Sequence, residues 1–502
     1  MKLPGAIRKL SFDDRWLQFV LLAFMVLYYG LILCHAELQK PAIPLNKTFN
    51  NMLDHLMHGQ FDVDPNIIGD EGFLRNGRVY AYWGITCALL RLPLLLLHKL
   101  DLDITVWSCL VAVCLAGMMK VRTVLFLRRS CSATSASEAA FGFMLIYIVL
   151  GGAEVGFLMS SIYQEVVFWA IAFAAVFVYF AIKGIVSREF TSTTLSWMAF
   201  AAGVALLTRV STGIGLCVAF GLLLLVLLAE DVRTKRAVLT RRILVPATIL
   251  VALLIVAGTV NYYRWGNPTT FADYTLYLGN RFYPDRIPRT DLYGLFNLAR
   301  IPFGLSYYFL PIWVLQGRDG RLLFENTQIR LMDNVELPPS SYFLTDLLPI
   351  AFIVFLIMAV WAGRSIVSGS LRKSRELVGL GDPQSSHQFL SYAQGLALAI
   401  GLAVPCVLML TAISMNYRYR MEFYPEMDLL AFLGLYATVS DPALLARFNR
   451  HRSRMLAATI ISIVSAFVAM FLYRHSPFGP AQLYLHNGVF HFYFGDWRVP
   501  KP

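Results

Sequence analysis

Long apolar runs separated by short polar connectors dominate the chain. They fall at 16–34, 104–126, 139–152, 163–183, 193–208, 212–229, 243–262, 342–362, 390–413, 425–440 and 456–473. Such runs are long enough to cross about 30 Å of hydrocarbon at about 1.5 Å per helical residue. The pattern predicts an all-α polytopic membrane protein with about eleven transmembrane helices, within a range of about ten to thirteen.

The polar connectors orient these helices. Lys2, Arg8, Lys9 and Arg15 precede the first run and predict a cytoplasmic N-terminus. With eleven crossings, the basic connectors VRTKRAVLTRR (232–242), GRSIVSGSLRKSR (363–375) and ARFNRHRSR (446–454) fall on that same side, as does KVRTVLFLRR (120–129). This parity requires that 82–98, which holds Arg91 and Pro93, does not cross; an interfacial or re-entrant helix is the expectation. If it does cross, a loop before residue 163 changes sides. The outer face then receives 35–81, a turn near 153–162, the long region 263–341, the turn 414–424 and the tail 474–502. A further apolar run at 301–317, with Pro302 and Pro311, is expected to be interfacial or re-entrant. The tail segment HNGVFHFYFGDW alternates loosely, as a strand or interfacial segment does. No repeat or soluble domain stands out, and the whole of 1–502 is expected to form one membrane domain.

Composition agrees: 57% of the 502 residues are hydrophobic and only 15% charged, too apolar for a soluble globule of this size. The net charge of +12 collects in short connectors, none beside a domain large enough to read nucleic acid, so that partner class is excluded. The seven cysteines are dispersed without a CxxC pair, which predicts packing roles rather than a disulfide framework or zinc site. The first run is too long for a signal-peptide core and no AxA-like site follows, so it reads as an uncleaved anchor.

Charge is sparse in the spans: Glu154, Glu165, Arg209 and Asp346 sit near segment ends. An ion-coupled transporter generally needs ionisable groups at mid-depth, so the pattern disfavours that class. The outer loops are richer. FDVDPNIIGDEG (61–72) gathers Asp62, Asp64, Asp70 and Glu71, and SMNYRYRMEFY (414–424) carries Tyr417, Arg418, Tyr419, Arg420 and Glu422. Arginine forks suit phosphate, whereas tyrosines at a helix end also suit the headgroup belt. Arg209, Arg264, Asp273, Arg281, Arg286 and Arg289 are further candidates around these loops. A carboxylate to deprotonate a hydroxyl and arginines to neutralise phosphate together suit transfer from a lipid-linked phosphate donor. Calcium binding is a competing use of the acids, but no EF-hand ligand series follows DVD. Asp54, His55 and His58 read as surface residues before they read as a metal site, and Asn46-Lys47-Thr48 is a sequon on the outer loop.

The first-loop segment GDEGFLRNGRVYAYWGITCALLRLP (69–93), the piece NYYRWGNPTTF (261–271) and the late segment YRYRMEFYPEMDLL (417–430) resemble the polytopic GT-C glycosyltransferases. That superfamily includes protein O-mannosyltransferases and lipid A aminoarabinose transferases. The resemblance implies transfer of a sugar from a polyprenyl-phosphate donor to a lipid or glycan acceptor, with inversion, at the non-cytoplasmic face of a bacterial inner (plasma) membrane. It implies a base at the acidic first-loop motif, Asp70 or Glu71, with Asp70 preferred and Asp64, Asp62 and Asp54 as rivals. Arg418 and Arg420, flanked by Tyr417 and Tyr419, would cradle the donor phosphate, with Arg281 and Arg209 as further substrate-binding candidates. Glu422 stands where an aspartate would be expected. Relatives differ in metal use, so no metal or other cofactor is assumed. A transporter or lipid flippase without covalent chemistry, and a non-catalytic membrane scaffold, are the alternatives.

Overall fold

The computed structural model describes residues 12–37, 43–131, 134–233, 241–282, 286–310, 331–332, 334–335, 340–362, 384–474, 482–486 and 489–493. The connector 363–375, most of 232–242, Lys2, Arg8, Lys9, the segment 311–317 with Pro311, and much of the 474–502 tail lie outside the described residues.

Each of the eleven apolar runs is a helix. In chain order these are α1 (Phe12–Glu37), α2 (Thr105–Ser130), α3 (Ser135–Gly151), α4 (Ile162–Ser187), α5 (Ser192–Leu206) and α6 (Val210–Arg233). They continue with α7 (Arg241–Trp265), α8 (Leu347–Trp361), α9 (Gln384–Thr411), α10 (Tyr424–Ser440) and α11 (Arg452–Arg474). Among the described residues, eight helices are long and apolar enough to cross a membrane. A ninth is added if the segment Tyr417–Ser440 and the helix Pro442–Arg450, bent by 100°, count as one span. The expectation of about eleven is thereby reduced: α5 and α8 are helices of only 15 residues. The protein is an integral, multi-pass helical membrane protein.

Burial in the bundle follows what each helix touches. Met25, Tyr29 and Leu33 of α1 lie on one stripe at helical spacing and are fully buried, while Phe19, Leu27 and Leu31 on the other faces are exposed. The Tyr29 hydroxyl crosses to donate to the Val149 carbonyl at 3.0 Å. Small residues let α6 and α9 approach closely: Gly215 abuts Pro405, and Gly401 abuts the Ala219 backbone. Polar contacts of charged side chains mark the two ends. At one, Arg129 Nε meets Asp14 at 2.8 Å, with Arg242 near Asp231 at 3.6 Å. At the other, Arg474 donates to the carbonyl of Ile32 at 2.9 Å.

At the Arg474 end the connecting segments are folded. The first loop contains helix Thr48–Met57, the turn Pro65–Ile68 and a 3-10 turn, Gly69–Glu71. A hairpin of Phe73–Arg75 and Arg78–Tyr80 follows, closed by Asn76-Gly77 with both φ angles positive. That dipeptide supplies the two left-handed residues that a tight hairpin needs. The expected interfacial segment at 82–98 is two short helices, Thr86–Leu89 and Leu92–Leu96, too short together to cross. Arg91, between them, is fully buried and clamps the loop to the bundle. Its guanidinium pairs with Glu165 of α4, with Nη2 to Oε2 at 2.8 Å, and Nε donates to Asn50 at 3.3 Å. The sequon is folded away: Asn46 Nδ2 donates to Asp103 at 3.0 Å and Thr48 is fully buried.

At 301–317 the described part is a helix, Ile301–Phe309. In the tail, Gln482–His486 and Val489–Tyr493 pair as an antiparallel hairpin, the strand alternative for that segment.

Candidate active site

Three chain breaks meet at the Arg474 end of the bundle: the first loop, the α5–α6 junction at Leu207–Arg209, and the segment Tyr417–Phe423 ahead of α10. Gly84 sews the first two together. Its amide donates to the Thr208 carbonyl at 3.3 Å, and the Thr86 amide to the Leu207 carbonyl at 3.0 Å. A Cβ on Gly84 would sit 1.9 Å from the Leu207 oxygen, so no side chain fits there. Gly84→Ala is therefore expected to pry the first loop from the junction and destabilise the protein by about 1–3 kcal/mol. Thermal unfolding of the purified variant checks this, and a midpoint equal to that of the parent would refute it.

Between these breaks lies a cavity of about 500 Å³. Its deeper wall is apolar, with Val166, Leu206, Ile214, Val260 and Leu408 from α4, α5, α6, α7 and α9. Its outer wall is aromatic and charged, with Tyr82, Trp83, Tyr163, Tyr274, Tyr277 and Tyr419 around Glu71, Arg209, Arg264, Arg286 and Arg418.

Glu71 is the carboxylate of this wall. The Tyr163 and Tyr277 hydroxyls are its neighbours in the cavity wall. Burial, and then the neighbouring Glu71 charge, push the Tyr82 and Tyr277 hydroxyls well above the usual tyrosine range, so both remain protonated donors. Asp70 is not in the cavity wall. Its carboxylate is held at the rim by Arg281 Nη2 at 2.6 Å, the two side chains being 44% and 64% exposed. The cause is the 3-10 turn: at three residues per turn, neighbouring side chains diverge by about 120°. Asp64 is more remote, accepting from Asn51 at 2.6 Å with its side chain 56% exposed, and Asp62 lies 3.4 Å from His55.

The same periodicity sorts the late arginines. Tyr417–Phe423 is a 3-10 helix, so Tyr417, Arg420 and Phe423 share one face, which turns into the core. Tyr417 stacks on Phe157, with ring centroids 4.4 Å apart. Arg420 is fully buried, donating to Thr345 at 2.7 Å and to Asp346 at 3.2 Å, and lies 4.2 Å over the Tyr342 ring. Arg418 points the other way, into the cavity, its guanidinium carbon 4.6 Å from the Tyr163 ring centroid. Tyr419 and Glu422 share the third face. Tyr419 lines the cavity, while Glu422, 1% exposed, pairs with Arg209 and accepts from Ser211 and Thr212, each at 2.6 Å. Glu422 therefore fixes the α5–α6 junction and places Arg209 over the Tyr419 ring at 5.5 Å.

Of the named candidates, the structure thus brings Glu71, Arg418, Tyr419 and Arg209 to one cavity. It leaves Asp70 and Arg281 at the rim, Asp64 outside, and Arg420 and Tyr417 in the core. Arg264 and Arg286, secondary in the sequence reading, also line the wall. Asp273 caps the turn Tyr274–Leu276 by accepting from the Thr275 amide at 3.0 Å. Tyr82, Tyr163 and Tyr277 carried no signal of their own; the Asn-Gly hairpin, which positions Tyr82, was the clue available. Among the described residues, no group of three His, Cys, Asp or Glu side chains converges to hold a metal ion.

No family model matches the chain, and the search of curated proteins finds no match. In structure it is similar to archaeal oligosaccharyltransferase AglB from Archaeoglobus fulgidus in complex with an inhibitory peptide and a dolichol-phosphate. That likeness has a TM-score of 0.43 and 12% identity, and covers 92% of this chain and 56% of that chain. An Archaeoglobus fulgidus oligosaccharyltransferase tethered with an acceptor peptide containing the NVT sequon via a disulfide bond gives a TM-score of 0.42 and 12% identity, covering 92% of this chain and 55% of that chain. The chain spans about half the length of these solved structures.

Proposed function

We propose that this cavity transfers a sugar from a polyprenyl-phosphate donor to a lipid or glycan acceptor. The observation that carries the reading is that a carboxylate, Glu71, and a phosphate-suited arginine on the late segment, Arg418, line a single cavity whose deeper wall is apolar. The apolar wall accommodates the start of the isoprenoid chain, and Arg418 neutralises the phosphate. Glu71 takes the proton from the acceptor hydroxyl as its oxygen bonds the anomeric carbon. The bond from that carbon to the phosphate oxygen breaks, and its electron pair leaves with the phosphate. Attack opposite the leaving group inverts the centre. We take the Asp14–Arg129 end, with its basic side chains, as cytoplasmic and the cavity as lying at the non-cytoplasmic face of a bacterial inner membrane. The remaining partners are membrane lipids, and the residues of the step need no cofactor.

The test uses the purified protein in vesicles, with a polyprenyl-monophosphate-linked radiolabelled sugar and extracted envelope lipids as acceptor. Labelled product is expected, and Arg418→Gln should lower kcat/KM by about tenfold to a hundredfold through the lost charged hydrogen bond. Movement of the donor across the vesicle without a covalent product would replace this reading with a flippase. Neither product nor movement in the parent protein, with Glu71 and Arg418 variants altering stability alone, would leave a scaffold.

A further inference from the structure

Arg264 is a cavity cation that the transfer step leaves without a task. It sits in the last turn of α7, is only 2% exposed, and lines the cavity. Nη1 donates to the Trp83 carbonyl at 2.7 Å, Nη2 reaches only the Met52 sulfur at 3.4 Å, and Nε has no partner. Among the described residues no carboxylate pairs with it. Other deeply buried cations have an acid or a set of carbonyls: Arg91 has Glu165, Arg420 has Asp346, and Arg300, at the turn Leu298–Arg300, donates to four backbone carbonyls. A buried guanidinium without a counter-charge costs several kcal/mol, a cost that a bound anion removes.

Its surroundings indicate which anion. Both side-chain contacts, Trp83 and Met52, come from the first loop, and Arg75 of the same loop donates to the Arg264 carbonyl at 3.0 Å. Glu71 also belongs to that loop, whereas Arg418 stands on the late segment and packs on Tyr163. Proton abstraction puts the acceptor beside Glu71, so an anionic group held by Arg264 belongs to the molecule that brings the hydroxyl, not to the donor.

We propose that Arg264 forms a second anion subsite, which takes a phosphate or carboxylate group on an acidic acceptor while the donor phosphate occupies Arg418. The assignment to the acceptor rests on the transfer reading; the subsite itself does not.

The experiment uses the purified full-length protein and two probes, orthophosphate and farnesyl monophosphate, in equilibrium dialysis. Protein saturated with farnesyl monophosphate should still bind one orthophosphate. That binding should weaken about tenfold or more in Arg264→Gln and persist in Arg418→Gln. Because Arg264 also holds the Trp83 carbonyl, Arg264→Lys serves as the variant that keeps a charge, and it should retain measurable orthophosphate binding. Full displacement of orthophosphate by farnesyl monophosphate in the parent protein overturns the proposal without needing any variant to fold. So does unchanged binding in a folded Arg264→Gln. Failure of farnesyl monophosphate to bind, with orthophosphate still held through Arg264, overturns the transfer reading and leaves the subsite in place.

Discussion

Glu71→Gln is expected to abolish sugar transfer, lowering kcat by about a hundredfold to ten-thousandfold, the range for loss of a positioned general base. Glutamine keeps the size of the side chain and presents a carbonyl oxygen to the same neighbours, Tyr163 and Tyr277. It lacks only the capacity to take a proton at neutral pH. Asp70→Asn supplies the contrast. Its carboxylate is engaged by Arg281 at the solvent-exposed rim, an ion pair of a class worth at most about 1 kcal/mol. That variant should stay within about fivefold of the parent, 1.4 kcal/mol being tenfold. The measurement is initial rate against donor concentration for both proteins, with insertion and folding checked by protease resistance. A dead Asp70→Asn beside an active Glu71→Gln would reverse the assignment.

The second large effect concerns stability. Arg91 and Glu165 are both fully buried and meet through two parallel contacts, one of them 2.8 Å. The pair does not stand alone: Arg91 Nη1 donates to the Cys87 carbonyl at 3.1 Å, and Trp169 Nε1 donates to Ser108 Oγ at 2.9 Å beside it. Removing one partner leaves a charge in a site that water does not reach, so Arg91→Met and Glu165→Leu are each expected to cost about 3–5 kcal/mol. The double variant should recover most of that loss, because an apolar pair of similar volume carries no desolvation penalty. A double-mutant cycle from reversible unfolding in micelles measures the coupling. Single variants within about 1 kcal/mol of the parent would show that the clamp does not hold the first loop down.

How much of this was legible in the chain depends on the period of the element involved. Long apolar runs announce helices whatever their register, so all eleven were visible, whereas parity left both options open for 82–98, where the structure has two short helices. Their lengths were less visible. The runs at 193–208 and 342–362 read as spans, but Arg209 and Glu422 cut α5 off at Leu206, and Asp346, held by Arg420, sets the start of α8 at Leu347. The two charged loops could be found by composition alone. Which of their side chains face the cavity could not, because both adopt 3-10 turns, a geometry that leaves no stripe in a segment of three or seven residues. Asp70 and Glu71 are adjacent and chemically alike; only the turn separates them. Arg418 and Arg420 look like a pair and are not one, since two steps at three per turn put them on different faces. The aromatic lining was hidden for another reason: its tyrosines come from four separate stretches that the sequence offers no way to align.

The short α5 helix has a consequence for how a substrate arrives. Its 15 residues span about 22 Å, some 8 Å less than an average hydrocarbon slab, so the junction at Leu207–Arg209 lies sunken in the leaflet unless the bilayer thins around it. A lipid-borne reactant would then enter sideways, by diffusion in two dimensions, without lifting its tail into water. On that geometry, saturation of the enzyme should follow the surface density of the donor: diluting the vesicles in buffer should leave the rate per protein unchanged, while diluting the donor with inert lipid should lower it.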